Sequence, residues 1–399
     1  MGRKLLILFL CCQAFGALFA QKQSDSLRQK LLNAPQDTSK VNLLLHFFDT
    51  DLFYDNPEAV IDYTHEALTL SEKLGFRKGE IRAHNNLGYT YRIRSEYDSS
   101  LAHYKKAIAK AEDIAFYKGL TDAYMGMGNT YNQLGQWEKA IPNFKRVMDF
   151  AEERGDSLQM AHANNNIGNT YLNQSKLEQA LTYYQEAVAL GDEPVREVAL
   201  INIAVVHTTL GNLELARNYF EQGLEAALLL DNKGHIPFIY KNLGVVEKKS
   251  GNFEKAKQYY QNALEAYTSM SDDYSISEVL YNMGNLHFEA KEYRKAIEFY
   301  QRSLNIQVTI EHLMGACYSR LAIAMSYKNL KETAKALEVL EEVNTCSDNL
   351  QLLPTKSDVA LTKSEIYRET GDYEKALEAY TLYKTLSDSL AGIRNAEKI

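Results

Sequence analysis

Nine histidines, four cysteines and a recurring asparagine are the residues of this 399-residue sequence whose types could do chemistry. The histidines are scattered, and no H-E-x-x-H pair places two of them one turn apart for a metal. The sequence has no G-x-x-x-x-G-K-[ST] loop to cradle phosphate, no G-x-S-x-G elbow to present a nucleophile and no C-x-x-C. His207 and His287 stand where Tyr91, Tyr131 and Tyr171 stand in a repeated pattern, which makes them packing residues. The carboxylates fall mostly on solvent-facing helix positions with basic neighbours four residues away. The sequence therefore predicts no catalytic residue, no metal ligand and no cofactor. Cys11 and Cys12 lie in an apolar leader. Cys317 and Cys346 fall at the same end of one helical hairpin if its turn is near Lys331. They form a bridge if their Cα atoms come within about 7 Å, and otherwise pack as two small buried thiols.

The asparagines recur because the whole chain recurs. Small residues fall at Gly88, Gly128, Gly168, Ala204, Gly244, Gly284, Ala324 and Ser364, in steps of 40, 40, 36, 40, 40, 40 and 40 residues. Twelve residues after each comes a second small position, from Ser100 and Ala140 through to Ala376. Four further on stands a large one: Tyr104, Phe144, Tyr184, Phe220, Tyr260, Tyr300, Leu340 or Tyr380. This is the tetratricopeptide pattern, in which two antiparallel helices cross closely at small residues with an aromatic wedged between them. It predicts an all-α fold, a right-handed superhelical solenoid of antiparallel helix pairs. A weaker ninth copy precedes the eight, with Tyr63 and Ala67 matching Tyr183 and Ala187, so about nine repeats are expected over 41–386. Gly135, Gly211, Gly251 and Gly371 fit the turns between paired helices. The single 36-residue step lies where Gly191 can end one helix and Pro194 open the next.

With the small residue as position 8, positions 2, 5, 6, 9, 12 and 13 share a helix face, at about 100° per residue. In this architecture that face lines the concave groove. Position 6 is Asn86, Asn166, Asn202, Asn242 and Asn282, although asparagine is a mediocre helix former. A primary amide both donates and accepts, so a row of them can grip an extended backbone with little regard to its side chains. The expected groove contacts are Asn86, Asn129, Asn166, Asn169, Asn202, Lys241, Asn242, Asn282 and Asn285. The competing assignment is that each asparagine bonds a neighbouring helix and fixes the stacking.

Composition bounds the rest. The chain is 45% hydrophobic and 24% charged, with a formal net charge of −8 and no Lys/Arg cluster, which argues against a nucleic-acid partner. Arg3 and Lys4 precede an apolar run from Leu5 to Ala20, too short for the roughly 20 residues of a membrane span. It reads as a signal peptide over 1–20, cleaved before Gln21 and followed by a capping segment at 21–40. Its removal leaves 42 basic against 52 acidic residues, a net charge of −10. Beyond Ala20 no run is long enough to span a membrane, so no stable insertion is expected after cleavage.

The long repeats with their N-L-G-x-x-Y core resemble those of kinesin light chains, spindle-orientation adaptors and bacterial peptide-sensing regulators. The head, DTSKVNLLL and then NPEAVIDYTHEALTLSEKLGFRKGEIRAHNNLGYTY, is similar to the exported sensory region of bacterial tetratricopeptide sensor histidine kinases and related regulators. The end, YTLYKTLSDSLAGIRNAEKI, resembles the entry to their coiled-coil linker, so residues 387–399 are expected to form a C-terminal helix or the start of a linker. No phosphoacceptor or ATP-binding region is present in the sequence, and kinase activity does not carry over. The resemblance implies an exported scaffold or sensory module, periplasmic or secreted in a bacterium, that binds a protein or extended peptide and acts on a downstream signalling protein. The rival class is a small-molecule receptor or enzyme using the groove as a pocket.

Overall fold

The computed structural model describes residues 29–50 and 56–396. The leader expected at 1–20 and residues 397–399 lie outside them. The chain divides into two compact units, Met1–Val206 and His207–Ile399.

In the first unit, α1 (Thr38–His46) runs into a single 3-10 turn (Phe47–Asp49). There follow α2 (Pro57–Leu74), α3 (Arg77–Ile93), α4 (Tyr97–Asp113), α5 (Tyr117–Gln133), α6 (Trp137–Glu152), α7 (Ser157–Asn173) and α8 (Leu177–Leu190). The division falls inside α9 (Glu193–Leu210). The second unit holds α10 (Leu213–Leu229), α11 (His235–Lys249), α12 (Phe253–Met270), α13 (Asp273–Glu289) and α14 (Tyr293–Thr309). It continues with α15 (Leu313–Asn329), α16 (Thr333–Asn349), α17 (Leu353–Thr370) and α18 (Tyr373–Ala396). Consecutive helices are antiparallel, no strand occurs among the described residues, and the fold is the expected solenoid of helix pairs. No described helix is long and apolar enough to cross a membrane.

Most helices are 16–18 residues long because a connector with one residue in the left-handed region arrives every 20 residues. Gly135, Gly211, Gly251 and Gly371 supply it with φ of 68°, 78°, 81° and 83°. Nine other connectors among the described residues use a residue with a side chain, including Lys291, Glu311 and Lys331, at φ of 48–62°. Each such turn is closed by two backbone bonds that satisfy orphan carbonyls, as when Gln136 N donates to Tyr131 O at 2.9 Å and Gly135 N to Asn132 O at 3.1 Å. The exception is Gly191, which is extended (φ −80°, ψ 154°) and ends α8 after 14 residues, where the sequence repeat is four residues short.

Small and large residues meet as expected except in the last repeat, whose Tyr380 is 49% exposed because no further repeat packs over it. Tyr104, Phe144, Tyr184, Tyr260 and Tyr300 are at most 2% exposed. A Cβ added at Gly168 would stand 2.6 Å from the Tyr184 ring, and one at Gly244 would stand 2.5 Å from the Tyr260 ring. Each ring contributes about 1.5–3 kcal/mol by leaving water. One level over, position 11 stacks on the residue twelve later: Tyr171 on Tyr183 at 5.4 Å, His207 on Tyr219 at 5.6 Å, His287 on Phe299 at 5.1 Å. Both histidines therefore pack where tyrosine packs elsewhere.

Cys317 on α15 and Cys346 on α16 are bonded, with Cα atoms 6.0 Å apart and a sequence separation of 29. Of the two arrangements open to that hairpin, the structure has the bridge.

Gly244→Ala should raise intrinsic helix propensity by about 1 kcal/mol yet destabilise by about 1–3 kcal/mol through overpacking of Tyr260. Thermal denaturation followed by circular dichroism should show its midpoint falling by several degrees. Gly392→Ala, with nothing within 4 Å of the added carbon, should not fall. A stabilised Gly244→Ala protein would mean the ring does not lie against this glycine.

Candidate ligand groove

In the first unit the inner faces of α3 and α5, with the turn after α1, enclose a cavity of about 550 Å³. Arg82, Asn85, Asn86, Tyr89 and Arg92 reach it from α3. Lys118, Asp122, Met125 and Asn129 reach it from α5, and Phe48 and Asp49 from the turn. Three cations therefore face two carboxylates. Lys118 lies 3.4 Å from Asp122, and Arg82 Nη1 donates to Asn42 Oδ1 at 2.9 Å. Burial lifts the Asp122 carboxyl above the ordinary range, against the pull of Lys118 and Arg82. Arg92 differs from the other cations. Its guanidinium lies 4.8 Å over the Tyr89 ring, no carboxylate among the described residues pairs with it, and its buried Nε has no hydrogen-bond acceptor. Asn85 is 8% exposed and its Nδ2 donates to Gly119 O at 3.1 Å, yet its Oδ1 has no donor. Buried polar atoms are rarely left without partners, because each costs about 1–3 kcal/mol. Two of them line this one cavity.

The structure divides the expected asparagines by what their amides already do. Asn202 Nδ2 donates to Asn165 Oδ1 at 3.0 Å and to Asn169 Oδ1 at 3.3 Å. Asn166 Nδ2 donates to His162 O at 3.0 Å and meets Met125 Sδ at 3.1 Å. These amides join one repeat to the next. In the second unit Asn242 Nδ2 donates to Phe238 O of its own helix at 2.8 Å, and Lys241 Nζ donates to Glu278 Oε2 at 2.6 Å. By contrast, the side-chain amides of Asn86 and Asn129 line the 550 Å³ cavity without a protein partner among the described residues. Asn282 likewise lines a second cavity, of about 310 Å³, beside Tyr274, Tyr281 and Tyr318.

Position 9 has a local logic. Asn169 Oδ1 accepts the phenol of Tyr184, and Asn285 Oδ1 that of Tyr300, each at 2.7 Å. Where the wedge is Phe144 there is no phenol to serve, and Asn129 stays available. Where position 9 is Val245, the wedge Tyr260 Oη is left without a partner. Arg82, Asn85 and Arg92 occupy positions 2, 5 and 12 of the helix face that the sequence register assigns to the groove. That register misses Phe48, Asp49 and Lys118, which reach the cavity from outside it.

A histidine pair sits off the groove. His84 Nδ1 on α3 and His103 Nδ1 on α4 are 3.1 Å apart, so one donates to the other while both rings stay neutral. Burial holds each pKa down to about 4, helped at His84 by His103, Lys106, Lys110 and His65, and at His103 by Lys106 and His65. The unfolded chain binds these protons near the ordinary pKa of about 6.5 and the folded chain does not. Stability from the pair is therefore full above pH 6.5 and is lost as pH falls toward 4. The thermal midpoint should drop over that interval, and by a smaller amount in the double variant His84→Leu with His103→Tyr. An identical drop in both proteins would show that the pair carries no pH dependence.

Models of the tetratricopeptide repeat match residues 82–114, 120–193, 165–227, 235–308 and 357–388. No curated protein matches the sequence. Among solved structures, the apo form of RapI superposes with a TM-score of 0.66 at 12% identity, covering 88% of this chain and 98% of that one. A signal transduction ATPase with numerous domains and a tetratricopeptide repeat sensor, from Pyrococcus horikoshii, also gives 0.66 at 16% identity. It covers 90% of this chain and 54% of that one. Aspartyl phosphate phosphatase F from Bacillus subtilis gives 0.56 at 13% identity, covering 88% and 94%. At these identities the likeness is one of fold.

Proposed function

We propose that this chain, which belongs to the tetratricopeptide repeat family, is an exported module that binds an extended peptide or protein segment along its inner helix faces and serves signalling or assembly. The observation that carries this is the first-unit cavity, with Arg92 Nε and Asn85 Oδ1 unpartnered beside the spare amides of Asn86 and Asn129. A segment of peptide supplies what these groups lack. Its carbonyls accept from the amides, its N–H groups donate to oxygen, and an acidic side chain would answer the unopposed charge of Arg92. No arrangement of nucleophile and base accompanies the cavity among the described residues, so the reading is of a scaffold rather than a catalyst. The net charge of −8 supports a protein partner over nucleic acid.

The test is selection of peptides from a random display library on the purified chain, followed by affinity measurement of the best binder. Asn86→Ala with Asn129→Ala should weaken it about tenfold or more, the equivalent of roughly 1.4 kcal/mol, and leave the thermal midpoint within a few degrees. Asn202→Ala should do the reverse, lowering the midpoint because Asn165 and Asn169 lose a donor. Undiminished binding by the double variant would remove the first-unit cavity from the groove. A cavity of this size also falls in the range of small-molecule sites. A metabolite that raises the midpoint where no selected peptide does would favour that rival.

Export rests on the leader pattern of residues 1–20 and is supported by the Cys317–Cys346 bridge, since such bonds persist in oxidising compartments. Protein recovered from the periplasm or medium should begin at Gln21, and its non-reduced peptide map should contain the bridged pair. A chain that retains Met1, with both thiols freely alkylated, would contradict export.

A further inference from the structure

The inner face of the second unit has a different chemistry. Between α13, α15 and the start of α17 lies a cavity of about 270 Å³. Its character is set by the rings of Tyr281, Phe288, Tyr300 and Tyr318, the thioether of Met325 and the carboxylate of Asp358. Tyr281 and Tyr300 meet at 5.4 Å between centroids, tilted by 49°. Tyr318 and Met325 remain 39% and 37% exposed, a large apolar surface to leave in water.

Asp358 is the one carboxylate on that wall, and no cation among the described residues pairs with it. Four cations of α15 and α17 are committed elsewhere. Arg320 is held by Glu342 at 3.1 Å and Lys363 by Glu341 at 2.8 Å, while Lys328 pairs with Glu365 and Lys356 with Asp348. Asp358 is exposed at the rim of the cavity, and desolvation by its neighbours with no counter-ion raises its carboxyl above the ordinary range. Aromatic faces carry negative electrostatic potential, so rings and carboxylate together make a place where a cation gains twice and an anion loses twice. An uncharged apolar side chain would gain only from the rings.

We infer that this cavity is a cation-accepting pocket that takes a basic side chain, lysine or arginine, of a peptide segment bound along the inner helix faces of the second unit. The inference rests on the peptide-binding reading and adds to it the charge of one ligand residue. The first-unit cavity, with its excess of cations, asks for the opposite charge.

Single-residue probes test the pocket without a peptide. The full chain, labelled on its methionine methyls, would be titrated with N-acetyl-arginine methylamide, N-acetyl-lysine methylamide, tetramethylammonium and the uncharged N-acetyl-norleucine methylamide. Met325→Leu assigns the reporting signal. The arginine or lysine derivative should shift the Met325 methyl saturably while norleucine leaves it in place. Asp358→Asn, at the rim, should weaken that binding tenfold or more without moving the thermal midpoint, and Tyr318→Leu should weaken it comparably. Equal binding of norleucine, or no effect of Asp358→Asn, would overturn the pocket's preference for cations. Saturation by tetramethylammonium alone would overturn the side chain as its source. Because each probe is one residue long, their failure would leave the library selection, and with it the groove reading, to stand or fall separately.

Discussion

Because Gly88, Gly168, Gly244 and Gly284 have no side chain, a tyrosine ring lies against the backbone of the facing helix, and the ring's thickness sets how closely the two helices of a repeat approach. Most other features follow from that spacing. With the helices so close, position 11 can stack on its partner twelve residues on, and position 9 comes within reach of the wedge phenol. Even the hydroxyl of Ser100 finds the carbonyl of Gly88 across the crossing, at 2.7 Å. The inner faces of the first helices are left with the residues that packing does not need.

That division between needed and spare residues explains how far the sequence could be read. The crossing was legible because it uses a small residue and a large one sixteen apart, eight times. The connectors were half legible: glycine betrays the left-handed turn at Gly135 or Gly371, but Lys331 and Glu311 take the same conformation with nothing in their chemistry to announce it. Turns of this kind are held by backbone bonds and by the helices on either side, which outweigh a cost of about 1–2 kcal/mol for a residue with a side chain.

The asparagines were legible as a row and not as individuals. Sharing a helix face made them look alike, whereas their neighbours make them different. Asn169 and Asn285 accept from a tyrosine, and Asn129 stands over a phenylalanine that offers nothing. That difference could have been read from the residue fifteen places on. The bridging of Asn202 to Asn165 and Asn169 could not, since it depends on which turn of α9 meets which turn of α7 after the four-residue deletion. The cavity floor was hidden for a related reason: Phe48 and Asp49 belong to a 3-10 turn outside the repeat register.

The bridge between Cys317 and Cys346 has a mechanical side. A solenoid contacts itself only between neighbours, so tension along the chain can peel it helix by helix. A covalent tie within one hairpin does not stop that peeling, but it removes the enclosed residues 318–345 from the length the chain can yield. At about 3.3–3.6 Å per extended residue, roughly 100 Å of slack is withheld. Under load α15 and α16 would stay tethered as a loop while the helices on either side drew out straight.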